Sequence, residues 1–413
     1  MKPYDIAVIG GGAAGIMAAI RASQLKKKVV LLERNDAIGR KILITGKGRC
    51  NLTNAADIAT FIEKFGKSGE FFRTAFHTFF NADLMEFFQS LGLETKVERQ
   101  GRVFPVNDKA ASVVEMLKKA LEENGVEVLY DSRVKEIRPC AGSLLVATED
   151  GREIAASKVI AATSGASYKA TGTSGDGFAI AEKLGHKIVP LTPGLVPLVA
   201  KEPWMKELQG VALENIRITF EYGKKRLSSD VGELMFTHFG VSGPLVLDLS
   251  SQVMTILKEH KEVRLLIDLK PGLRDEQLES KLLHKFKIKG NIICKNMMKD
   301  ILPQRLITRF LKLLDINENL RTNQITQAQR RAIIRTLKSF PVTIAGSLPL
   351  EEAMVTGGGI SIKEINPRTM ESRLVPGLYF AGEMIEGTAP SGGYNLQQAF
   401  STGYLAGEKA ANA

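Results

Sequence analysis

Cysteine is scarce. Cys50, Cys140 and Cys294 stand far apart in 413 residues and none belongs to a CxxC pair. Such spacing gives neither a disulfide framework nor a zinc site and suits a reducing compartment. It also removes the dithiol that disulfide-reducing enzymes need. Long apolar runs are missing as well, since no stretch approaches the roughly 18 to 20 residues of a membrane span. The first strand-like run, YDIAVIG, starts at Tyr4 and leaves no room for a cleavable presequence. The expectation is a cytoplasmic chain with no membrane partner. Histidine numbers only five, so side chains that titrate near neutrality are few.

Charge is not scarce but is unevenly placed. The net charge is +11, and between Thr255 and Phe340 there are 19 Lys/Arg against 9 Asp/Glu. One reading is a helical insertion with a solvated basic face. The other is a docking surface for an anionic substrate, a nicotinamide phosphate or RNA. Aromatic residues that stack on bases are sparse there, with only Phe286, Phe310 and Phe340. Nucleic acid is therefore not the expected partner.

Glycine is somewhat rich, at 38 residues, and much of it clusters at Gly10 to Gly15, Gly172 to Gly177, Gly357 to Gly359, and Gly392 with Gly393. In such clusters backbone rather than side chain meets a ligand, which hints at a large phosphate-bearing cofactor. Residues 4 to 34 read as strand, glycine turn, helix and strand. That unit opens a doubly wound α/β sheet with parallel strands. Three close strands follow between VEVLY and SLLVATED, and KVIAAT looks like a return to the parallel sheet. At VPLTPGLVPL three prolines in eight residues mark a boundary. The chain exceeds what one core usually serves. The expected fold is α/β, with a discontinuous Rossmann-like cofactor domain over 1–191 and 341–413. It is interrupted by a β-rich insert domain over 192–270 and a basic helical subdomain over 271–340.

Gly10, Gly12 and Gly15 form GxGxxG between a strand and a helix, where backbone N–H groups and a helix N-terminus can hold a pyrophosphate. Glu33 ends the second strand 18 residues after Gly15, where a carboxylate can bind an adenosine ribose. An acid there disfavours a 2′-phosphate and hence NADP in this site. The following stretch, ERNDAIGRKILITGKGRCNLTN, brings Arg34, Arg40, Lys41, Lys47 and Arg49 among turn glycines and ends near Asn51 and Asn54. Cations and free amides there suit an extended dinucleotide that runs on past the sheet edge. GTSGDG and VTGGGI lack the strand-turn-helix setting of a second nicotinamide domain.

The chain resembles the BaiN/YhiN-type FAD-dependent oxidoreductases of the two-dinucleotide-binding flavoprotein superfamily. The resemblance spans essentially the whole length. It rests on GRKILITGKGRCNLTN, GRVFPVND, TGTSGDGFAIAEKLGH, GELMFTHFGVSGP, VTGGGI and GLYFAGEMIEGTAPSGGYNLQQAFSTG. It implies an FAD-binding domain in which Gly10, Gly12, Ala13, Ala14 and Gly15 face the pyrophosphate and Glu33 the ribose. Val134 would present its backbone to adenine, with Arg34 in the adjoining cationic stretch. Arg40, Lys41, Gly46, Gly48, Arg49, Cys50 and Asn51 would line the ribityl and flavin side. Ala162, Thr163 and Gly165 would pass beneath the dinucleotide, and Gly382 and Glu383 would meet the ribityl chain. Asn395 and Leu396 would offer N–H groups near the flavin pyrimidine, where a helix dipole favours the anionic reduced form. The superfamily commonly has Asp where Glu383 stands, so the extra methylene shifts that carboxylate.

GTSGDG with its following helix is similar to a segment of fumarate reductases and ketosteroid dehydrogenases, which implies chemistry at an activated C=C bond. The implied reaction passes a hydride from NAD(P)H through flavin N5 to an unsaturated, enone-like small molecule. Bile-acid-reducing members make a ring enone a candidate acceptor. His238, in FTHFGVSGP, and Tyr168 and Tyr394 are candidate proton donors, each with packing or positioning as the plainer reading. A flavin-dependent RNA-modifying protein and a redox-sensing flavoprotein are the alternatives.

Overall fold

A computed structural model describes residues 4–140, 142–288 and 291–413. The chain divides into two compact units, residues 1–194 with 349–413, and residues 195–348.

The first unit is built on a seven-stranded sheet. Strand β1 (Tyr4–Ile9) leads through the glycine turn into helix α1 (Ala13–Gln24) and then β2 (Val29–Leu32). Every residue of VVLL and the last four of YDIAVI are buried, as a parallel strand covered on both faces requires. Helix α2 (Arg40–Ile44) follows, and the sheet continues with β3 (Glu127–Leu129), β4 (Val134–Cys140), β5 (Ser143–Thr148) and β6 (Glu153–Ala161). The strand order is β3-β2-β1-β6-β5-β4. β3, β2, β1 and β6 run parallel, whereas β4, β5 and β6 form the antiparallel meander expected from their close spacing. The short strand β7 (Leu378–Phe380) pairs in parallel with the C-terminal half of β6, Leu378 opposite Val159 and Phe380 opposite Ala161.

Two further helices bear on the site: α3 (Asp176–Lys183) and the last helix, α4 (Tyr394–Asn412). α4 lies on α1 at very short range. A Cβ added at Gly403 would sit 2.2 Å from the Ala14 carbonyl oxygen, and one at Gly407 would sit 2.3 Å from that of Ala18. Only glycine on one helix and alanine on the other permit this approach. The contact fixes the start of α4 relative to the glycine turn.

In the second unit, seven strands pack with helices around one core. Ile218, Phe220 and Leu265 from the sheet share it with Leu306, Phe310, Ile333 and Leu337 from the helices. The sequence predicts a β-rich segment over 192–270, a helical one over 271–340, and a return to the cofactor domain at 341. In the structure strand Phe340–Ser347 pairs with Leu198–Ala200 and Val263–Asp268, so the chain re-enters the first unit only at Pro349. Among the described residues no helix is long and apolar enough to cross a membrane.

Candidate functional site

A long cleft opens along the C-terminal ends of β1 and β2, and all its lining residues belong to the first unit. Its floor is the glycine turn. Gly10 takes a left-handed φ of 108°, and a Cβ there would lie 2.4 Å from the Ala162 carbonyl oxygen. At Gly15 a Cβ would lie 1.9 Å from the Gly10 oxygen, so this glycine serves close packing of α1 on the turn. Gly12 differs, because nothing stands within 4 Å of an added Cβ. It leaves space for a ligand over the start of α1, whose first turn carries no acid and whose cap makes no side-chain hydrogen bond. Free N–H groups at that helix end suit a pyrophosphate.

Glu33 stands at one end of the cleft and is buried. One carboxylate oxygen accepts the Gly11 N–H at 2.7 Å, and the other accepts the Asn35 N–H at 2.8 Å and its Nδ2 at 2.6 Å. Beside it Arg34 donates to the Gly172 oxygen at 3.0 Å, to the Ser174 hydroxyl, and to Asp176 at 3.0 Å. Arg133, next to Val134 at the head of β4, grips the same Asp176 with bonds of 2.8 and 2.9 Å. The Arg133 hydrogen bonds hold the Asp176 carboxyl below its ordinary range, against burial and with help from Ser174 and Arg34. This cluster pins the start of α3 and the GTSGDG turn to the cleft wall.

The middle of the cleft runs over Ala162, Thr163 and Ser164 after β6. Gly165 is close by but faces the strand Val355–Ile360, where a Cβ would strike Thr356 Oγ1 at 2.2 Å. Lys41, from α2, reaches Glu383. At the far end lie Thr45, Gly387, Thr388, Asn395, Leu396, Gln398 and Ala399. The Asn395 amide closes the preceding loop by accepting from Ala389 N at 2.9 Å and donating to Ala389 O at 2.8 Å. Gly382 is held by α4 on both sides of its peptide, its N–H donating to Thr402 Oγ1 at 2.9 Å and its oxygen accepting from Gln398 Nε2 at 3.2 Å. The start of α4 has no acid in its first turn and no side-chain cap at Gly393, and its Asn395 and Leu396 line the cleft.

The structure thus brings to one cleft Gly10, Gly12, Ala13, Ala14, Glu33, Arg34, Arg40, Lys41, Val134, Ala162, Thr163, Gly382, Glu383, Asn395 and Leu396. Gly15, Gly46, Gly48, Arg49, Cys50, Asn51 and Gly165 do not line it. Arg49 turns to an outer acidic pair, bonding Asp108 at 2.9 and 2.6 Å and also Glu98, with its guanidinium 4.1 Å over the Phe104 ring. Cys50 is fully buried, and burial pushes its thiol up to about 12 against a lowering bond from Thr45. Asn51 Oδ1 is buried with no hydrogen-bond partner among the described residues.

The three proton-donor candidates do not gather at the cleft. His238 is exposed in a hairpin of the second unit, its ring 4.9 Å from that of Phe239. Tyr394 is buried edge-on against Phe61 at 4.7 Å. Tyr168 takes a left-handed φ of 53° and its N–H is bonded to Glu351 O at 3.0 Å. Sequence reasoning missed Asn35, Arg133 and Asp176 as cleft residues. Asp176 had a signal, its place in GTSGDG; Arg133 had none, since its role comes only from the register of β4 against α3.

Open space at Gly12, two helix starts without a side-chain cap and the Glu33 carboxylate together fit an extended dinucleotide. Among the described residues no cluster of His, Cys, Asp or Glu suits a metal ion.

The family described as "HI0933-like protein Rossmann domain" matches residues 4–409. The chain is 36% identical over 408 residues to the 3-dehydro-bile acid delta(4,6)-reductase of Clostridium scindens, with 98% of each chain covered. It is 32% identical over 410 residues to the ribosomal RNA dihydrouridine synthase of Escherichia coli, covering 98% of this chain and 97% of that one. Among solved structures, the open conformation of a flavocytochrome c3 fumarate reductase aligns with a TM-score of 0.54 at 17% identity, over 100% of this chain and 79% of that one, a likeness of fold. A family match over nearly the whole length, with full-length relatives above 30% identity, places the chain in the HI0933-like Rossmann-domain family and makes it an enzyme of the oxidoreductase class.

Proposed function

We propose that the cleft holds FAD and that the enzyme reduces a C=C bond conjugated to a carbonyl in a small unsaturated molecule, with NAD(P)H as the hydride source. The observation that carries this reading is the continuous cleft with a buried carboxylate, Glu33, at one end and helix starts without a side-chain cap along its floor and far end. The full-length relative named as a reductase of a bile-acid double bond supports the acceptor class. When bound, the flavin supplies the relay that takes a hydride from one partner and gives it to the other. The chain's own part is binding and orientation. The start of α1 holds the pyrophosphate, Glu33 the ribose, and the Arg34–Asp176–Arg133 cluster closes over the adenosine end. Gly382, fixed by Thr402 and Gln398, sets the line along which the cofactor runs toward Asn395 and Leu396.

Anaerobic rapid mixing of the FAD-loaded protein with NADH or NADPH, and then with a panel of enones, tests this. Bleaching of the visible flavin band followed by enone-driven recovery is expected. Failure of both nucleotides to bleach the flavin removes the donor, and failure of every enone to restore it removes the acceptor class.

A second reading is favoured by a specific observation. The basic excess of the 255–340 segment sits on the surface, with Lys258, Lys261, Arg264, Arg274, Arg331 and Arg335 all exposed. A full-length relative carries the name of a ribosomal RNA dihydrouridine synthase. That relative bears against the expectation that nucleic acid is no partner. A uracil C5=C6 bond is itself conjugated to a carbonyl, so the chemistry is shared and only the carrier of the double bond differs. RNA binding that falls by roughly 0.7 log units per log unit of salt for each phosphate neutralised would favour it. Salt-independent or undetectable binding would leave the small-molecule reading.

A further inference from the structure

The Glu383 carboxylate accepts four hydrogen bonds, two on each oxygen. Oε2 takes Lys41 Nζ at 2.5 Å and Ser164 Oγ at 2.7 Å; Oε1 takes the Thr356 N–H at 2.8 Å and Ser167 Oγ at 3.0 Å. A carboxylate has about four lone-pair sites, so protein donors fill them all. The extra methylene of Glu over Asp is what carries the oxygens to Thr356 and Lys41. Burial works against the charged carboxyl, yet the Lys41 ammonium and the donated bonds hold it below its ordinary value. It is therefore ionised at neutral pH.

Lys41 tells the complementary story. Its ammonium spends one N–H on Glu383 and one on Ser167, at 2.9 Å, and has three to give. Its side chain is 21% exposed and lines the cleft. Three segments converge on Glu383, which stands in the turn Gly382–Met384: α2, the turn after β6, and the strand Val355–Ile360. Such convergence fixes where the cation stands.

We infer that Glu383 is a positioning residue, which sets the Lys41 ammonium against the bound dinucleotide and does not itself bond to it. The contact expected between the Glu383 side chain and the ribityl chain is replaced by one from Lys41, an ammonium donor to an electron-rich oxygen or nitrogen of the cofactor. The Glu383 side chain acts only through Lys41. This inference rests on the reading that the cleft holds FAD.

The test is a double-variant cycle on FAD affinity, with apoprotein titrated by loss of flavin fluorescence for the parent, K41M, E383Q and K41M/E383Q. K41M is expected to weaken binding roughly tenfold or more, the worth of a charge-assisted bond. E383Q weakens binding in the parent but by less than about twofold once Lys41 is gone, because coupled residues are not additive. An equal loss from E383Q with and without Lys41 overturns the inference while leaving FAD binding intact. A parent protein that takes up no FAD overturns both the inference and the reading beneath it. K41M leaves a buried carboxylate unpaired. A second measurement on the unaltered protein therefore stands beside it: trace acetylation of Lys41, mapped by peptide mass, with and without FAD. Strong protection by FAD is expected, and equal acetylation overturns the contact.

Discussion

Replacing both Gly403 and Gly407 by alanine puts two methyl groups 2.2 and 2.3 Å from the carbonyl oxygens of Ala14 and Ala18. Those oxygens are backbone atoms and cannot rotate aside. Ordinary contact begins at 3.4 Å, so α4 must lift from α1 by roughly 1 Å. Overpacking of this kind costs about 1 to 3 kcal/mol per site. Better helix propensity returns up to about 1 kcal/mol at each. Midrange values, about 2 kcal/mol lost and about 1 kcal/mol returned at each site, leave a net loss of about 2 kcal/mol for the pair, which for a unit of this size lowers the melting temperature by on the order of 4 to 8 °C. The same lift moves the start of α4, with Asn395, Leu396 and Gln398, away from Gly382, so FAD affinity falls together with stability. Thermal melts by circular dichroism and flavin titration of the apoprotein measure both. Gly272→Ala, where an added Cβ meets nothing within 4 Å, is the control. A double variant that melts within about 1 °C of the parent and binds FAD equally well would refute the packing argument.

Glu33→Gln leaves one acceptor oxygen where Gly11, Asn35 N and Asn35 Nδ2 now share two. FAD affinity measured by fluorescence titration should drop about tenfold, the worth of one charged hydrogen bond. His186 is buried with its Nε2 2.7 Å from Ser372 Oγ, and burial holds its pKa below the ordinary 6.5. A depressed histidine is neutral in the fold but takes a proton when unfolded, so stability is full above pH 6.5 and declines as pH falls below it toward the folded value. Melting temperatures across that range should show the decline in the parent and a smaller one in His186→Gln. Burial pushes the Cys50 and Cys294 thiols up to about 12 and about 11, whereas Cys140 is exposed. A thiol reagent at mildly alkaline pH should label Cys140 alone in the native protein and all three cysteines after denaturation.

The sheet and the glycine turn were legible because each depends on local pattern. YDIAVIG and VVLL carry the unbroken apolar signature of covered parallel strands, and Gly15 is required by its contact with the Gly10 oxygen inside one βαβ unit. The loop from Lys47 to Asn51 was less legible, because its positive charge suggested a ligand while Arg49 is satisfied by Glu98 and Asp108 from a distant turn. Long-range pairing of that kind leaves no trace in spacing. His238 stood out only because histidines are few and its loop is rich in glycine, neither of which fixes where a side chain faces. Arg133 and Asn35 went unnoticed for the opposite reason: their chemistry is ordinary, and only tertiary register gives them partners.

β7 pairs with β6 across more than two hundred intervening residues, and α4 covers α1 from the far end of the chain. During synthesis at roughly 5 to 20 residues per second, the free half-edge of β6 waits about ten to forty seconds for β7, and the alanine face of α1 about twenty to eighty seconds for α4. The cleft lacks Gly382, Asn395 and Gln398 throughout that interval. Cofactor capture is therefore a late event, coupled to the arrival of the last segment rather than to folding of the first. A nascent chain stalled in the second unit presents a half-built site to the quality-control machinery.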